Sequence, residues 1–287
     1  MSHANGLFDG LCDDAAVFPP GNLALAEAVT AHHEHQRSRY AALVGSLVVA
    51  GHHLEELSQL VGTGTQPSLV VSVVVPLSGI AATFELTDTH PAITLAGIEV
   101  ALPPETDPAT VVPLLDEVVR RRRLTCHIEV PRDPRRDRLI EALSGADCRA
   151  KLRTGGVHAD LYPDEKELAE ALVALVRAGV PFKATAGLHH AVRRTDPDTD
   201  FEQHGFLNLM VATAAARVGA GTDDLVEVLA DRDPAGIAAA AGSLTATVRD
   251  SFGSFGTCSI TDPVEELVAL GLLDLGLADI DAVGASR

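Results

Sequence analysis

Of the 22 basic residues in the chain only three are lysines, and two of these occupy matching settings. "CRAKLRTG" (148–155) and "PFKATAG" (181–187) are short strand-like stretches that each carry one lysine, Lys151 and Lys183, and end at glycine. The third, Lys166, falls on a helical stretch between them. The other 19 basic residues are arginines, the usual partners in buried ion pairs. Keeping lysine at two strand ends therefore suits chemistry that arginine cannot perform. A lysine crowded by other cations loses its proton and attacks a carbonyl carbon as a free amine, whereas a guanidinium stays protonated. The implied reaction is Schiff-base formation.

Further charged residues share the expected strands: Glu99 on one, His127 and Glu129 on the next, then Arg149, Lys151 and Arg153, then Lys183 with Thr185. A two-residue period places His127 with Glu129, Lys151 with Arg153, and Lys183 with Thr185 on common faces. Facing one interior, at least three cations would meet two carboxylates, and such charges must pair or serve a ligand. A structural ion-pair network is the competing reading.

The histidine pairs His52-His53 and His189-His190 follow the second and seventh expected strands. With Glu99 and Glu129 they give an alternative, a metal-dependent hydrolase or isomerase. No metal signature is present, and the neighbouring cations would repel a metal ion, so no metal is expected. "HHEH" (32–35) reads as a solvated helix face, and "FPPG" (18–21) as a rigid turn with Asp14 inside the fold. "GTGTQP" (62–67) leaves a helix and enters a strand, the wrong order for a phosphate loop.

The elements that must position these residues alternate. Expected strands are 13–18, 40–51, 68–77, 94–102, 124–131, 148–155, 181–187 and 256–260. Asp107-Pro108 and Asp262-Pro263 signal helix starts, and "PDEKELAEALVALVRAG" carries acids in its first turn. Continuous apolar strands suit a parallel sheet covered on both faces. Eight of them with intervening helices predict an α/β fold, a (β/α)8 TIM barrel forming one domain over 1–287. Extra helices are expected between strands seven and eight, over about 201–250. The polar loop 193–205 before them fits a lid or an oligomer contact. A doubly wound open sheet is the alternative, weakened by the lack of a G-x-G-x-x-G after the first strand.

A net charge of −18 leaves no basic face for nucleic acid. The four-arginine run 120–123 reads as a solvated helix end. Apolar runs fall short of a membrane span, and the N-terminal residues lack a secretory pattern. Four cysteines without C-x-x-C pairing read as free thiols, so a cytoplasmic location is expected.

On these residues the chain resembles the class I aldolases of the deoxyribose-phosphate aldolase type. Lys151-Leu152-Arg153-Thr154-Gly155 is similar to that family's K-x-x-T-G strand, and "GAD" (145–147) to its lead-in. "FKATAGLHH" is similar to the seventh-strand K-A-x-G-G stretch through Lys183, Ala184 and Gly187. "VVVPLSG" and Ile128-Glu129 are similar to its third and fifth strand ends, and "FGTCSITDPVEEL" to its last phosphate loop. The similarity runs from about residue 69 to 270. It implies a TIM barrel and a lyase acting through a lysine imine, with no cofactor, on a small anionic carbonyl compound, phosphorylated or carboxylated. Lys151 would be the nucleophile and Lys183 would tune it, with Glu129, His127 or Glu99 moving protons. Arg153, Thr154, Gly155, Thr185, Gly187, His189, His190, Gly256, Thr257 and Ser259 would hold the substrate and its anionic group. A homo-oligomer is expected. A barrel that binds a small anion or a protein partner without catalysis is the remaining alternative.

Overall fold

A computed structural model describes residues 6–62 and 68–276, so the glycine stretch 63–67 lies outside the described residues. Eight parallel strands form a closed barrel. They are β1 (Cys12–Asp14), β2 (Val44–Ala50), β3 (Leu69–Val74), β4 (Ile93–Val100), β5 (Thr125–Glu129), β6 (Arg149–Arg153), β7 (Phe182–Thr185) and β10 (Phe252–Thr257). Neighbours follow chain order, and β10 closes the ring between β7 and β1. A separate antiparallel pair, β8 (Arg194–Thr195) and β9 (Glu202–Gln203), lies in the 193–205 loop. The helices between strands are α1 (Leu25–Arg37), α2 (Leu54–Val61), α3 (Ile80–Thr89), α4 (Pro108–Arg122), α5 (Arg136–Leu143) and α6 (Glu165–Arg177). The chain is a (β/α)8 TIM barrel. No helix among the described residues is long and apolar enough to cross a membrane.

Strand alternation separates two environments. Leu47, Val49, Val71, Val73, Ile98, Ile128 and Phe182 point outward and are buried under the helices. Each such side chain contributes about 1.5–3 kcal/mol by leaving water. The alternate residues point inward, where the polar groups lie. Helix starts follow their signals at two places. Asp107 accepts a hydrogen bond from the Ala109 amide at 3.1 Å ahead of Pro108, and Asp164 accepts from the Glu167 amide at 2.7 Å. The four-arginine run ends α4 and is tied to exposed acids, among them Asp88 and Asp147.

Several expected boundaries move. The first strand is Cys12–Asp14, four residues short of its expected end at 18, and the second begins at Val44 and not at 40. The last strand is Phe252–Thr257, four residues earlier than expected. Its outward phenylalanines, Phe252 and Phe255, stack on Phe182 and Phe206 but are spaced by three. A register shift between them absorbs the odd residue, which hides the strand's period in the sequence. The next helix, α10 (Thr261–Ala269), is not capped by Asp262. The Ser259 hydroxyl accepts from the Asp262 amide at 3.2 Å instead.

Between β7 and β10 lie α7 (Phe206–Arg217), α8 (Thr222–Ala230) and α9 (Pro234–Gly242). Helix α7 packs against α6, α8, α9 and β10 and is buried along most of its length, so it shows no polar face. The 193–205 loop is pinned to the barrel body. Arg193 pairs with Glu165 at 2.5 Å and Glu202 at 3.0 Å, and His204 Nε2 donates to the Pro163 carbonyl at 2.8 Å.

Candidate active site

Lys151 and Lys183 stand directly opposite each other on adjacent strands β6 and β7. Both point inward, because Lys183 reaches Glu99 on β4 and Asp13 on β1, contacts that only the barrel interior allows. Lys183 Nζ lies 2.6 Å from Glu99 Oε1 and 2.7 Å from Asp13 Oδ2. Lys151 Nζ lies 3.3 Å from Glu99 Oε2 and 3.0 Å from Glu129 Oε2. Glu129 offers its other oxygen to Arg153 Nε at 3.0 Å. Three carboxylates and three cations thus form one chain across the interior, with Glu99 between the two lysines. Lys183, Glu99 and Lys151 are only 1%, 2% and 3% exposed.

The polar layer continues round the barrel. Asp13 Oδ2 also accepts from Ser254 Oγ at 2.7 Å, and its Oδ1 from the Ser46 amide at 3.1 Å. Ser46 Oγ meets Ser72 Oγ at 2.7 Å. Asp13, Ser46, Ser72 and Ser254 were not expected from the sequence. A lone serine inside a run of valines, as in "SLVVSVVVPL", is the signal that marks an inward position. Asp14, expected inside, points outward and pairs with His32 Nδ1 at 2.9 Å. His32 is therefore fully buried rather than solvated, and it also meets Gln36 Nε2 at 3.0 Å.

Burial alone would raise the Glu99 carboxyl, but the charges of Lys183 and Lys151 hold it well below the carboxylate range. Burial also opposes ionisation of Glu129, and Lys151 with Arg153 overcomes it. Burial works against the Lys183 ammonium, yet Asp13 and Glu99 raise its pKa above the usual lysine value. His127 sits one register step below Glu129 and faces Glu99 on β4 and Arg149 on β6. Burial, and then the Lys183 charge, push it down to about 3. Arg149 itself is exposed at the start of β6.

A cavity of about 270 Å³ opens above this floor, at the C-terminal ends of the strands. Its polar lining includes Glu99, Lys151, Arg153, Lys183, Thr185, His189 and Cys258, with an apolar wall from Phe18, Pro19, Val157 and Leu161. This is the barrel face that carries chemistry in this architecture. Left-handed backbone at Ala186 (φ 63°) and Gly187 (φ 70°) turns the chain sharply after β7. A side chain at Gly187 would also come within 3.0 Å of the Gly155 Cα.

Several expected substrate ligands serve the fold instead. Thr154 donates its hydroxyl to the Ala186 carbonyl at 2.6 Å. Gly155 and Gly187 pack against each other and Tyr162. His190 Nδ1 is held by Glu266 Oε1 at 2.6 Å. Thr257 donates to the Ser259 carbonyl at 2.9 Å, and Ser259 caps α10. The expected phosphate loop thus satisfies itself, and α10 adds Asp262, Glu265 and Glu266 beside it. Gly256 and Thr185 do line the cavity. His52 and His53 meet edge to face after β2. No group of three or more His, Cys, Asp or Glu side chains placed to hold a metal ion occurs among the described residues. No protein-family model, no curated protein and no solved structure matches the chain.

Proposed function

We propose that the protein is a class I aldolase-like lyase that binds a small carboxylated carbonyl compound through an imine at Lys151. One observation carries this reading: a lysine nitrogen on the floor of a strand-end cavity, with the Glu129 carboxylate 3.0 Å away as proton acceptor. Lys183, locked between Asp13 and Glu99, stays an ammonium and fixes Glu99 in place. Glu129 then accepts the Lys151 proton, and the free amine adds to the carbonyl carbon. The carbonyl oxygen leaves as water once protonated, and the resulting iminium withdraws electrons from the neighbouring bond.

Arg153 supports a carboxylate as the substrate's anionic group. Its Nε is engaged by Glu129, while the planar fork retains further donors at the cavity wall. The β10–α10 loop offers less to a phosphate, since its hydroxyls are engaged and acids flank it. A carboxylate arriving at Arg153 also competes with Glu129 for the guanidinium, which makes Glu129 a stronger base when the substrate is present.

Incubation with small aldehydes, ketones and 2-oxo acids plus borohydride tests the reading. Peptide mapping should place the reduced adduct on Lys151, and Lys151→Arg should abolish it. Equal labelling of Lys166, or none on Lys151 across the panel, would leave the lysines as a structural ion-pair network.

A further inference from the structure

An imine at Lys151 needs a partner that moves a proton at the adjacent carbon. The group must face the cavity, be free of ion pairs and be unprotonated near neutral pH. Both oxygens of Glu99 are taken by the lysines, and both oxygens of Glu129 by Lys151 and Arg153. Asp13 is held by Lys183, Ser46 and Ser254. His127 lies below the floor and is not part of the cavity wall. His190 is tied to Glu266.

His189 meets all three conditions. It lines the cavity together with Cys258, whose Sγ lies 3.5 Å from His189 Nδ1. Thr257 Oγ1 lies 3.3 Å from the same nitrogen. Because Thr257 gives its own proton to the Ser259 carbonyl, the Nδ1–H is the donor in that contact. That tautomer leaves the lone pair on Nε2, whose one hydrogen-bonding neighbour among the described residues is the Cys258 thiol at 4.0 Å. Burial, and then His190, hold the ring below its usual pKa, so it is neutral. Burial keeps the Cys258 thiol protonated, with a pKa of about 11. Cys12, Cys126 and Cys148 are buried elsewhere, so this is the cavity's own thiol.

We propose that His189 Nε2 is the base that moves the substrate proton, with Cys258 as the residue that positions its ring. The inference rests on the Lys151 imine proposed above. In the step, Nε2 takes the proton from the carbon next to the iminium. The C–H electron pair becomes the C=C bond of an enamine, and the C=N π pair moves to nitrogen. The imidazolium returns the proton in reverse, with no oxidant or reductant involved.

Two readouts from one sample test it, with pyruvate, acetone and acetaldehyde as probes in deuterated water. NMR follows exchange of the α-hydrogens, and borohydride captures the imine on Lys151. His189→Gln should cut exchange about a hundredfold or more, the range of general-base catalysis, while capture on Lys151 persists. Cys258→Ala should slow exchange less, and Cys258→Ser, which keeps a hydrogen-bonding group, should restore it. Capture on Lys151 with wild-type exchange in His189→Gln overturns the role of His189. Equal exchange in the alanine and serine variants overturns that of Cys258. No capture on Lys151 in the wild type removes the imine, and both readings fall together.

Discussion

Lys151 and Lys183 are identical residues in direct register, yet their partners divide their work. Both line the cavity, but Lys183 is closed in by two carboxylates at 2.6 and 2.7 Å, while Lys151 shares Glu99 and Glu129 with other cations at 3.3 and 3.0 Å. Asp13 supplies half of the Lys183 clamp, so Asp13→Asn should destabilise the fold strongly. Removing one member of a buried pair costs about 3–5 kcal/mol. Ser254→Ala removes one hydroxyl hydrogen bond to the same carboxylate oxygen, leaves the ion pair in place, and should cost less, about 1.5–3 kcal/mol. Urea unfolding midpoints measure both, and equal effects would contradict the clamp. The lysines were legible because lysine is rare in this chain and the strand period fixes their face. Asp13 was not. In a strand of three residues nothing in "CDD" tells which aspartate points inward, and a one-residue choice exchanges the barrel interior for the α1 side.

At the scale of elements, apolar runs and helix-start signals located seven of the barrel strands, because outward residues must meet helices whatever the site contains. The last strand was expected at 256–260 and lies at Phe252–Thr257, because its glycines and irregular phenylalanine spacing give no period. The helices between β7 and β10 were legible as helices, but their anchoring was not, since it depends on one buried amide. Asn208 is fully buried; its Oδ1 accepts from the Arg193 amide at 2.9 Å. Its Nδ2 donates to the Val228 and Asp231 carbonyls, each at 2.8 Å. One side chain thereby ties the 193–205 loop to α7 and to the end of α8. Asn208→Ala leaves three backbone groups without that partner, at about 1–3 kcal/mol for each one left buried and unsatisfied. The variant should unfold at lower urea and be cut faster by protease within 193–205. A wild-type cleavage rate there would show that the loop is held by Arg193 and His204 alone.

For the whole molecule, the buried charges set how stability varies with pH. Lys183 has a folded pKa above its ordinary 10.5. Its contribution is complete below the unfolded value and is lost as pH rises through the folded one. Glu99 and Glu129 are depressed below their ordinary 4.5, so their contribution holds above that value and disappears as pH falls through the folded pKa values. His127 acts in a different window. Its folded pKa of about 3 lies below the ordinary 6.5, so between these values the unfolded chain binds a proton that the folded chain refuses. Stability must therefore decline on acidification from about pH 6.5, before the carboxylates begin to titrate. Lys183, Arg149 and Lys151 disfavour the protonated ring and Glu99 favours it, so the loss reflects the whole interior and not one neighbour. His127→Gln removes this proton site while leaving the carboxylates. Its urea midpoint should fall less than that of the wild type between pH 6.5 and 4.5, and the gap should keep widening toward pH 3 while both proteins also lose the carboxylate contribution. Parallel midpoints across the upper interval would show that the interior accepts a charged His127 without cost.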